Sequence, residues 1–201
     1  MGDNPRFPKS PPPMAKLYFR YAAMNAGKST NLLQVAHNYE ERGRSVVLYT
    51  AALDDRAGRG IVESRLGVER KARMFAAETS FADAFEGDPQ PGCILIDEAQ
   101  FLAPAQVREL HRLAHERGVP VICYGLRTDF RGVGFPGSVE LLAIADALEE
   151  MKTICRCGRK ASMVIRHNDK GERLYEGDQV QVGGNETYES VCPRRFYGGS
   201  C

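Results

Sequence analysis

The sequence predicts an α/β protein built on a parallel sheet, with a small β-rich appendage towards its C-terminal end. Two patterns predict the sheet: short β-branched and apolar runs alternate with amphipathic segments of helical period, and turn residues separate them. Strands that alternate with helices require right-handed crossovers, which place ligand sites at the carboxyl ends of the strands. A chain of 201 residues, of which 43% are hydrophobic, is long enough to bury such a core.

The predicted elements follow one another at short intervals. Proline opens the second helix and glycine closes both helices, as is typical of helix boundaries. Residues 54–74 carry scattered glycine and arginine and are predicted to be a mobile loop. In chain order, strands are predicted at 16–22, 45–51, 92–99 and 119–125, and helices at 31–43 and 104–118.

The two ends of the chain differ from this middle part. Residues 1–13 carry five prolines among polar residues, so they are predicted to be a disordered tail. Residues 14–150 are predicted to form the α/β domain. Residues 151–201 hold short alternating segments, such as ASMVIRH and QVQVGG, and are predicted to form the separate β-rich appendage.

Charge balance and targeting patterns limit the classes of partner. Lys plus Arg is 27 and Asp plus Glu is 26, so the net charge of +1 indicates neither a nucleic-acid partner nor a membrane surface. No apolar stretch approaches the roughly 20 residues that span a bilayer, and no apolar signal region opens the sequence, so a cytoplasmic location is expected. Six cysteines in a reducing compartment indicate metal binding or packing rather than disulfides. Small-molecule ligands are therefore expected.

The loop between the first predicted strand and the first helix follows a phosphate-binding pattern. Residues 22–29 read AAMNAGKS, which fits G-x-x-x-x-G-K-[ST] except that Ala22 replaces the first glycine. In this pattern backbone N–H groups surround phosphate oxygens, Lys28 reaches the β- and γ-phosphates, and Ser29 offers a hydroxyl to Mg²⁺. Because a strand precedes the loop and a helix follows it, the sequence predicts a P-loop NTPase fold.

An acidic pair follows the third apolar run. The residues CILI lead into Asp97, which is placed to support Mg²⁺, and Glu98 comes next. Since neighbouring residues of a strand face opposite ways, the two carboxylates are expected to do different jobs. Glu98 could then accept a proton from an attacking hydroxyl. The pair alone does not distinguish a kinase, whose hydroxyl belongs to a substrate, from an ATPase, whose hydroxyl belongs to water.

With these residues in place, six motifs in order resemble the thymidine kinase family of the bacterial and cytosolic type. They span about Met14 to Arg195 and read AMNAGKST, TAALDDR, LIDEAQFL, CYGLRTDFRG, KTICRCGRKASM and VGGNETYESVC. The resemblance implies a RecA-like P-loop sheet and transfer of the γ-phosphate of ATP to the 5′-hydroxyl of thymidine and deoxyuridine, in nucleotide salvage. It also implies a homotetramer. One bacterial branch of the family shares Ala22 in place of glycine.

The resemblance assigns roles to individual residues. Glu98 would be the catalytic base, and Ser29 and Asp97 would hold Mg²⁺. The segment from Gln179 to Gly184 resembles the family's lasso loop, which holds the thymine base through main-chain groups. Apart from the resemblance, the glycine-rich run at 182–185 suits a lid that excludes water, and an ordinary hairpin turn is the alternative. The residues implied to bind ATP are Ala22, Ala23, Met24, Asn25, Ala26, Gly27, Lys28, Ser29, Thr30, Arg56, Asp97 and Gln100. The residues implied to bind the nucleoside are Met24, Phe101, Leu126, Phe130, Gln179, Val180, Gln181, Val182, Gly183 and Tyr188.

Cys155, Cys157 and Cys192 resemble the family's structural zinc site. Thiolates are strong Zn²⁺ ligands, and a metal can fold an appendage that is too small to have its own core. The family's fourth ligand lies three residues after Cys192, where this chain has Arg195, and an arginine cannot coordinate zinc. Cys201 is a candidate for the fourth ligand.

Alternatives stay open for the fourth zinc ligand and for the function of the whole chain. At the zinc site, His167, a water molecule or loss of the metal could take the place of Cys201. For the whole chain, the main alternative is a P-loop ATPase with a zinc-ribbon appendage that binds nucleic acid or a protein, although the balanced charge argues against it. A non-catalytic nucleotide-binding module is a third interpretation and would require an inert Glu98.

Overall fold

The computed structural model describes residues 15–54, 58–86, 90–180 and 187–201, so the predicted tail at 1–13 lies outside it. Across these ranges, no helix has the length and apolarity needed to cross a membrane. The strands are β1 (Leu17–Ala22), β2 (Val46–Ala51), β3 (Ile61–Glu63), β4 (Glu69–Lys71), β5 (Arg73–Phe75), β6 (Cys93–Ile96), β7 (Val121–Leu126), β8 (Ala147–Glu150), β9 (Thr153–Ile154), β10 (Lys160–Ala161), β11 (Met163–His167), β12 (Arg173–Leu174) and β13 (Tyr188–Val191). The α-helices are α1 (Lys28–Glu40), α2 (Pro104–Arg117), α3 (Pro136–Ile144) and α4 (Pro193–Phe196), and short 3-10 helices lie at Ala82–Phe85 and Ala99–Phe101.

The centre of the fold is a six-stranded sheet in which all neighbouring strands are parallel. The strand order is β5-β2-β6-β7-β1-β8, so β7 lies between β6 and the strand that precedes the phosphate loop. In register, Leu17 of β1 lies opposite Val121 of β7, and Tyr18 lies opposite Ala147 of β8. A strand inserted at this place is the RecA-like arrangement, and the predicted fold class is confirmed.

Helices cover both faces of the sheet and bury it. On one face, α1 buries Leu32 and Ala36 against residues of β2, β6 and β7. On the other face, α2 buries Val107, Leu110 and Leu113 against residues of β1, β6 and β7. Each of the leucine and valine side chains contributes about 1.5 to 3 kcal/mol when it is fully buried. The apolar stripe of α2 is therefore accounted for by packing within the chain.

The prediction of a mobile loop at 54–74 is wrong for the described part of that range. β3 and β4 pair as an antiparallel hairpin, and β5 joins the edge of the main sheet beside β2. These strands are three residues long and carry charged residues, so they show little period-2 apolar pattern. The patterns also predict neither β8 nor α3, because β8 is a short edge strand with two glutamates and α3 is apolar without a clear helical stripe.

After β8 the chain forms small antiparallel units rather than extending the main sheet. β9 pairs with β10, and β11 lies between β12 and β13, in agreement with the predicted β-rich character. Two hydroxyls tie this part to the phosphate loop: Ser190 Oγ donates to the Met24 carbonyl at 2.6 Å, and Thr153 Oγ1 donates to the Asn25 carbonyl at 3.3 Å. Val164 packs against Met24 as well. The domain boundary itself stays a prediction.

Substituting Gly137 with alanine is expected to destabilise the protein. A Cβ at this position would lie 2.5 Å from the carbonyl oxygen of Leu102 and 2.9 Å from that of Ala99, and main-chain atoms cannot move aside cheaply. In a helix, alanine is normally more favourable than glycine by about 1 kcal/mol. A net loss of stability in this variant would therefore come from the clash. We expect Gly137→Ala to lower the free energy of unfolding by about 2 kcal/mol or more, as measured by urea unfolding.

Gly134→Ala is the matched control for this prediction. Its Cβ would meet the Cγ2 atom of Val139, whose side chain is exposed and can rotate. A loss below about 1 kcal/mol is expected. Equal losses for the two variants would contradict the close packing described around Gly137.

Candidate active site

The phosphate loop leads directly into the N-terminus of α1. Gly27, immediately before the helix, has a φ of 75°, and Asn25 has a φ of 63°. Two residues of the loop therefore adopt the left-handed backbone conformation. Lys28 and Ser29 lie in the first helical turn, as predicted. The Lys28 Nζ donates to the Ala23 carbonyl at 3.2 Å, which keeps the lysine beside the loop. N–H groups at the start of a helix lack helical partners, so this end suits a phosphate.

The two carboxylates lie in a turn after β6 rather than in the strand itself. β6 ends at Ile96, and Glu98 has a φ of 52°. The expectation that strand alternation separates the two side chains is therefore wrong, because neither residue is in a strand. The turn separates them instead: Asp97 contacts Ser29, whereas Glu98 contacts Gln100. A non-glycine residue in the left-handed region costs about 1 to 3 kcal/mol, so surrounding contacts must hold it there.

Asp97 is buried beside the phosphate loop. It accepts hydrogen bonds from Ser29 Oγ at 3.1 Å and from the Glu98 N–H at 3.0 Å. Burial and the negative charge of Glu98 raise the pKa of Asp97 to about 7, while Lys28 acts in the opposite direction. A carboxylate in this setting suits a divalent cation, because the cation would offset the lost hydration of the charge.

Gln100 links Glu98 to the end of β7. It is buried, its Nε2 donates to the Glu98 carboxylate, and its Oε1 accepts the Leu126 N–H at 3.0 Å. Gly125 permits this approach, because a Cβ there would lie 2.9 Å from Gln100 Oε1. Both ends of the amide are engaged, so the Glu98 carboxylate is held in one direction.

Two adjoining spaces meet at Glu98. The first, which we call the phosphate cleft, is an open space of about 1720 Å³ that is lined by loop residues 24–27, the start of α1, the β3 strand and Asp97. The second, which we call the apolar cavity, is a half-open space of about 590 Å³, part of which is open to solvent, and is lined mainly by aromatic and aliphatic side chains. Ligands bound in the two spaces would approach each other at Glu98. The described residues that line both spaces are Met24, Asp54, Glu98 and Leu126.

Most of the predicted site residues line these two spaces. Those of the predicted ATP site that line the phosphate cleft are Met24, Asn25, Ala26, Gly27, Lys28, Ser29, Thr30 and Asp97. Those of the predicted nucleoside site that line the apolar cavity are Met24, Phe101, Leu126, Phe130, Gln179, Val180 and Tyr188. Ala22 and Ala23 are buried where β1 ends, and Gln100 lines the apolar cavity instead of the cleft because its turn folds towards β7. The predicted residues Arg56, Gln181, Val182 and Gly183 lie outside the described residues.

Several residues of the site carry no clear signal in the sequence. Asp54 lines both spaces, and its place in the run LDD, three residues after the end of β2, is the one feature that could have singled it out. Asp129 is buried and accepts hydrogen bonds from the Arg131 N–H at 2.9 Å and from Gln179 Nε2 at 3.3 Å. Ile61–Glu63 contribute to the cleft, and they were hidden because their hairpin resembles a loop.

Four thiols come together in the appendage. The Sγ atoms of Cys155, Cys157, Cys192 and Cys201 lie within 4.8 Å of one another, and those of Cys157 and Cys192 are 3.8 Å apart. Tetrahedral zinc with sulfur at 2.3 Å would set the sulfurs about 3.8 Å apart, so the spacing fits. Burial alone would raise the pKa of the Cys155 thiol, but the N–H groups of Cys157 and Cys192 outweigh it and lower the pKa to about 6. The cluster can therefore hold a metal ion.

Arg195, which stands where the resemblance implies a zinc ligand, pairs with Glu189 and also interacts with the Cys155 thiol of the cluster. Its guanidinium forms a two-pronged ion pair with Glu189, in which Nη2 and Oε2 are 2.9 Å apart. Cys201 supplies the fourth thiol of the cluster instead. His167 lies on β11 and is not one of the four clustered residues.

A RecA-like sheet that sets a phosphate loop against a buried acidic turn defines a P-loop nucleotide-binding protein. The apolar cavity beside the acidic turn provides room for a second ligand. The thymidine kinase family model matches residues 15–197. The chain belongs to the thymidine kinase family.

Curated bacterial relatives carry the same family name. "Thymidine kinase" of Chromobacterium violaceum is 56% identical over 184 residues, which cover 92% of this chain and 99% of the relative. "Thymidine kinase" of Rhizobium meliloti is 55% identical over 188 residues, which cover 91% of this chain and 96% of the relative. Among solved structures, one of Pif1 helicases at forked DNA covers 72% of this chain and 41% of that chain at 15% identity, with a TM-score of 0.37. That likeness is too distant to bear on function.

Proposed function

We propose that this chain transfers the γ-phosphate of ATP to the 5′-hydroxyl of thymidine, and also of deoxyuridine. Glu98 carries the proposal, because it lines both the phosphate cleft and the apolar cavity. A phosphotransferase needs a donor site and an acceptor site that meet at the transferred group. Membership of the thymidine kinase family supports thymidine as the acceptor.

ATP would lie in the phosphate cleft with its terminal phosphates at the start of α1. There Lys28 would contact the β- and γ-phosphates, and the N–H groups of the first turn would bind phosphate oxygens. Ser29 and Asp97 fit Mg²⁺, because their oxygens are 3.1 Å apart beside the loop and oxygen ligands are those that Mg²⁺ prefers. Bound Mg²⁺ would offset the negative charge of the phosphates.

Glu98 would accept the proton of the acceptor hydroxyl. As that proton passes to the carboxylate, the 5′-oxygen forms its bond to the γ-phosphorus, and the bond from this phosphorus to the bridging oxygen of ADP breaks. The hydrogen bond from Gln100 and the left-handed turn keep the carboxylate in place without the acceptor. A base that is already oriented loses little entropy when the substrate arrives.

The apolar cavity suits a flat pyrimidine nucleoside. Aromatic and aliphatic side chains line it, and a few polar groups, among them Glu98, Gln100 and Asp129, converge on the same space. Phe101 and Phe135 meet edge to face at 5.9 Å between ring centroids, and Tyr188 lines the same space. Met24 and Leu126 would offer apolar contacts to a 5-methyl group. Walls of this kind also exclude the water that would otherwise hydrolyse ATP.

The four clustered thiols would hold a structural Zn²⁺. Four sulfur ligands close the coordination shell, which is typical of structural rather than catalytic zinc. The cluster joins the turn at 155–158 to the segment at 192–201, and it packs with Val191 and Phe196 in the small core of the appendage. Bound metal would therefore stabilise the appendage.

Quaternary state and location are proposed from the family resemblance. We infer a homotetramer in the cytoplasm. Exposed apolar side chains such as Leu148 and Ile154, which are 48% and 72% exposed, are available for contacts between subunits.

A nucleoside panel tests the proposed reaction. Purified protein with ATP and Mg²⁺ is expected to convert thymidine and deoxyuridine to their 5′-monophosphates, as measured by chromatography. A preparation that binds ATP but forms no nucleoside monophosphate would refute the proposal. ATP turnover that is independent of any nucleoside would favour the ATPase alternative.

Glu98→Gln is expected to lower kcat for thymidine by roughly 100-fold or more, because the amide cannot accept the proton. The amide is nearly isosteric and its oxygen can still accept the Gln100 hydrogen bond, so the affinity for ATP should change little. Steady-state kinetics with each substrate varied would measure both effects. Glu116→Gln, at an exposed site on α2, is the matched control and should behave like the unmodified protein. If Glu98→Gln weakened ATP binding as much as turnover, the role as a base would be wrong.

Cys201→Ser is expected to weaken zinc binding by at least about tenfold, because a hydroxyl is a poor substitute for a thiolate ligand. Competition with a chelator would measure the affinity, and the thiolate absorption of the Co²⁺-substituted protein would count the sulfur ligands. Cys123→Ala is the control, since this thiol is buried in β7 away from the cluster. Equal zinc retention by the Cys201 variant and the control would exclude Cys201 as a ligand.

A further inference from the structure

Arg166 is a buried cation for which the described residues provide no acidic partner. It lies on β11, is 4% exposed, and forms no ion pair within the described ranges. Its Nε also finds no hydrogen-bond partner among those residues. A buried charge that lacks an ionic partner lowers stability. Other contacts must therefore hold the Arg166 guanidinium in place.

The contacts of Arg166 join the wall of the apolar cavity to the loop that follows β12. Its guanidinium lies over the ring of Phe130, 3.9 Å from the centroid, and Phe130 lines the cavity. At the edge of the same plane, Nη1 donates to the Asp178 carbonyl at 3.0 Å and Nη2 donates to the Glu176 carbonyl at 3.4 Å. A planar fork can make these contacts together, whereas the ammonium group of a lysine cannot.

The backbone between these two carbonyls is fitted closely around the guanidinium. Gly177 has a φ of 123°, which side chains rarely adopt, and a Cβ there would lie 2.4 Å from Arg166 Nη2. The loop therefore passes closer to the arginine than any other residue type would allow. The residues on either side are exposed, so the contact with Arg166 is their main attachment to the interior.

The next two residues of this loop reach the apolar cavity. Gln179 and Val180 line it, and Gln179 Nε2 also donates to the buried Asp129 carboxylate at 3.3 Å. The loop is thus connected to two consecutive residues. Gln179 bonds directly to Asp129, and Arg166 links the main chain of residues 176–178 to Phe130. A displacement of the Arg166 guanidinium would therefore displace Phe130, which lines the cavity, and also the loop that carries Gln179 and Val180.

We propose that Arg166 is a positioning residue for the nucleoside: its guanidinium clamps Phe130 and the main chain of residues 176–178, and so sets Gln179 and Val180 against the acceptor. The proposal rests on the proposed function, because it assigns the apolar cavity to the acceptor. The clamp lies away from the phosphate cleft, since none of these residues lines it. Its loss should therefore affect acceptor binding and leave ATP binding unchanged.

Arg166→Lys tests the clamp, because it keeps the charge and removes the planar fork. We expect the KM for thymidine to rise by about tenfold or more, from the loss of charge-assisted hydrogen bonds, while the KM for ATP stays within about twofold. The kcat at saturating thymidine should fall much less than kcat/KM. In a second variant, Gly177→Ala, the arginine is kept but the new Cβ would occupy the position of its guanidinium. The same rise in the KM for thymidine, with little change in the KM for ATP, is expected.

Arg173→Lys is the matched control. Arg173 also lies in the appendage, stacks on Tyr175 and Phe196, and has an Nε without a partner among the described residues, but it does not line the apolar cavity. Its substitution should leave the KM for thymidine within about twofold. If the Arg166 and Gly177 variants kept the KM for thymidine unchanged, or raised both KM values equally, the positioning role would be wrong.

Hydrogen–deuterium exchange separates this proposal from the proposed reaction. Amides at 176–180 are expected to exchange faster in Arg166→Lys than in the unmodified protein, and no faster in Arg173→Lys. This readout does not depend on turnover. Absence of thymidine phosphorylation by the unmodified protein would refute the proposed function, whereas unchanged exchange at 176–180 would refute the clamp.

Discussion

The contact between the start of α1 and the turn after β6 is the constraint on which the site depends. Ser29 and Asp97 meet there, although the strands that lead to them are separated in the sheet by β7. Parallel strands end at the same edge, so one short polar contact suffices to align the phosphate loop with the acidic turn. Gly125 keeps the neighbouring backbone close enough for Gln100 to orient Glu98. The donor side of the site is therefore built on rigid elements.

The apolar cavity, in which we propose that the acceptor binds, is assembled in another way. Its walls come from the end of β7, from the segment around Phe130 and from the appendage, which are distant in sequence. Side-chain hydrogen bonds rather than a sheet hold these parts together, as between Asp129 and Gln179. Elements of this kind can adjust to a ligand more readily than strands of a parallel sheet. The two spaces thus differ in how they are built, and Glu98 lines both.

The central strands and the phosphate loop could be predicted because their signals are local. Strands buried on both faces appear as continuous apolar runs, and the loop has a fixed spacing. The edge strands β5 and β8 are short and polar, so no pattern distinguishes them from loops. Asp129 and Arg166 could not be assigned roles, because their contacts arise only when distant segments pack together. Cys201 was one of several alternatives for the same reason: no spacing motif connects it with Cys192.

The hydroxyl of Ser190 has a thermodynamic consequence for the whole protein. It bonds to the main-chain oxygen of Met24, a residue that lines both the phosphate cleft and the apolar cavity. If occupancy of the phosphate cleft shifts this oxygen, β13 and the wall that it carries must respond. Linkage then requires reciprocity, so each ligand changes the affinity of the other by the same factor. If that shift occurs, this single hydrogen bond between the appendage and the loop couples the two proposed substrate sites.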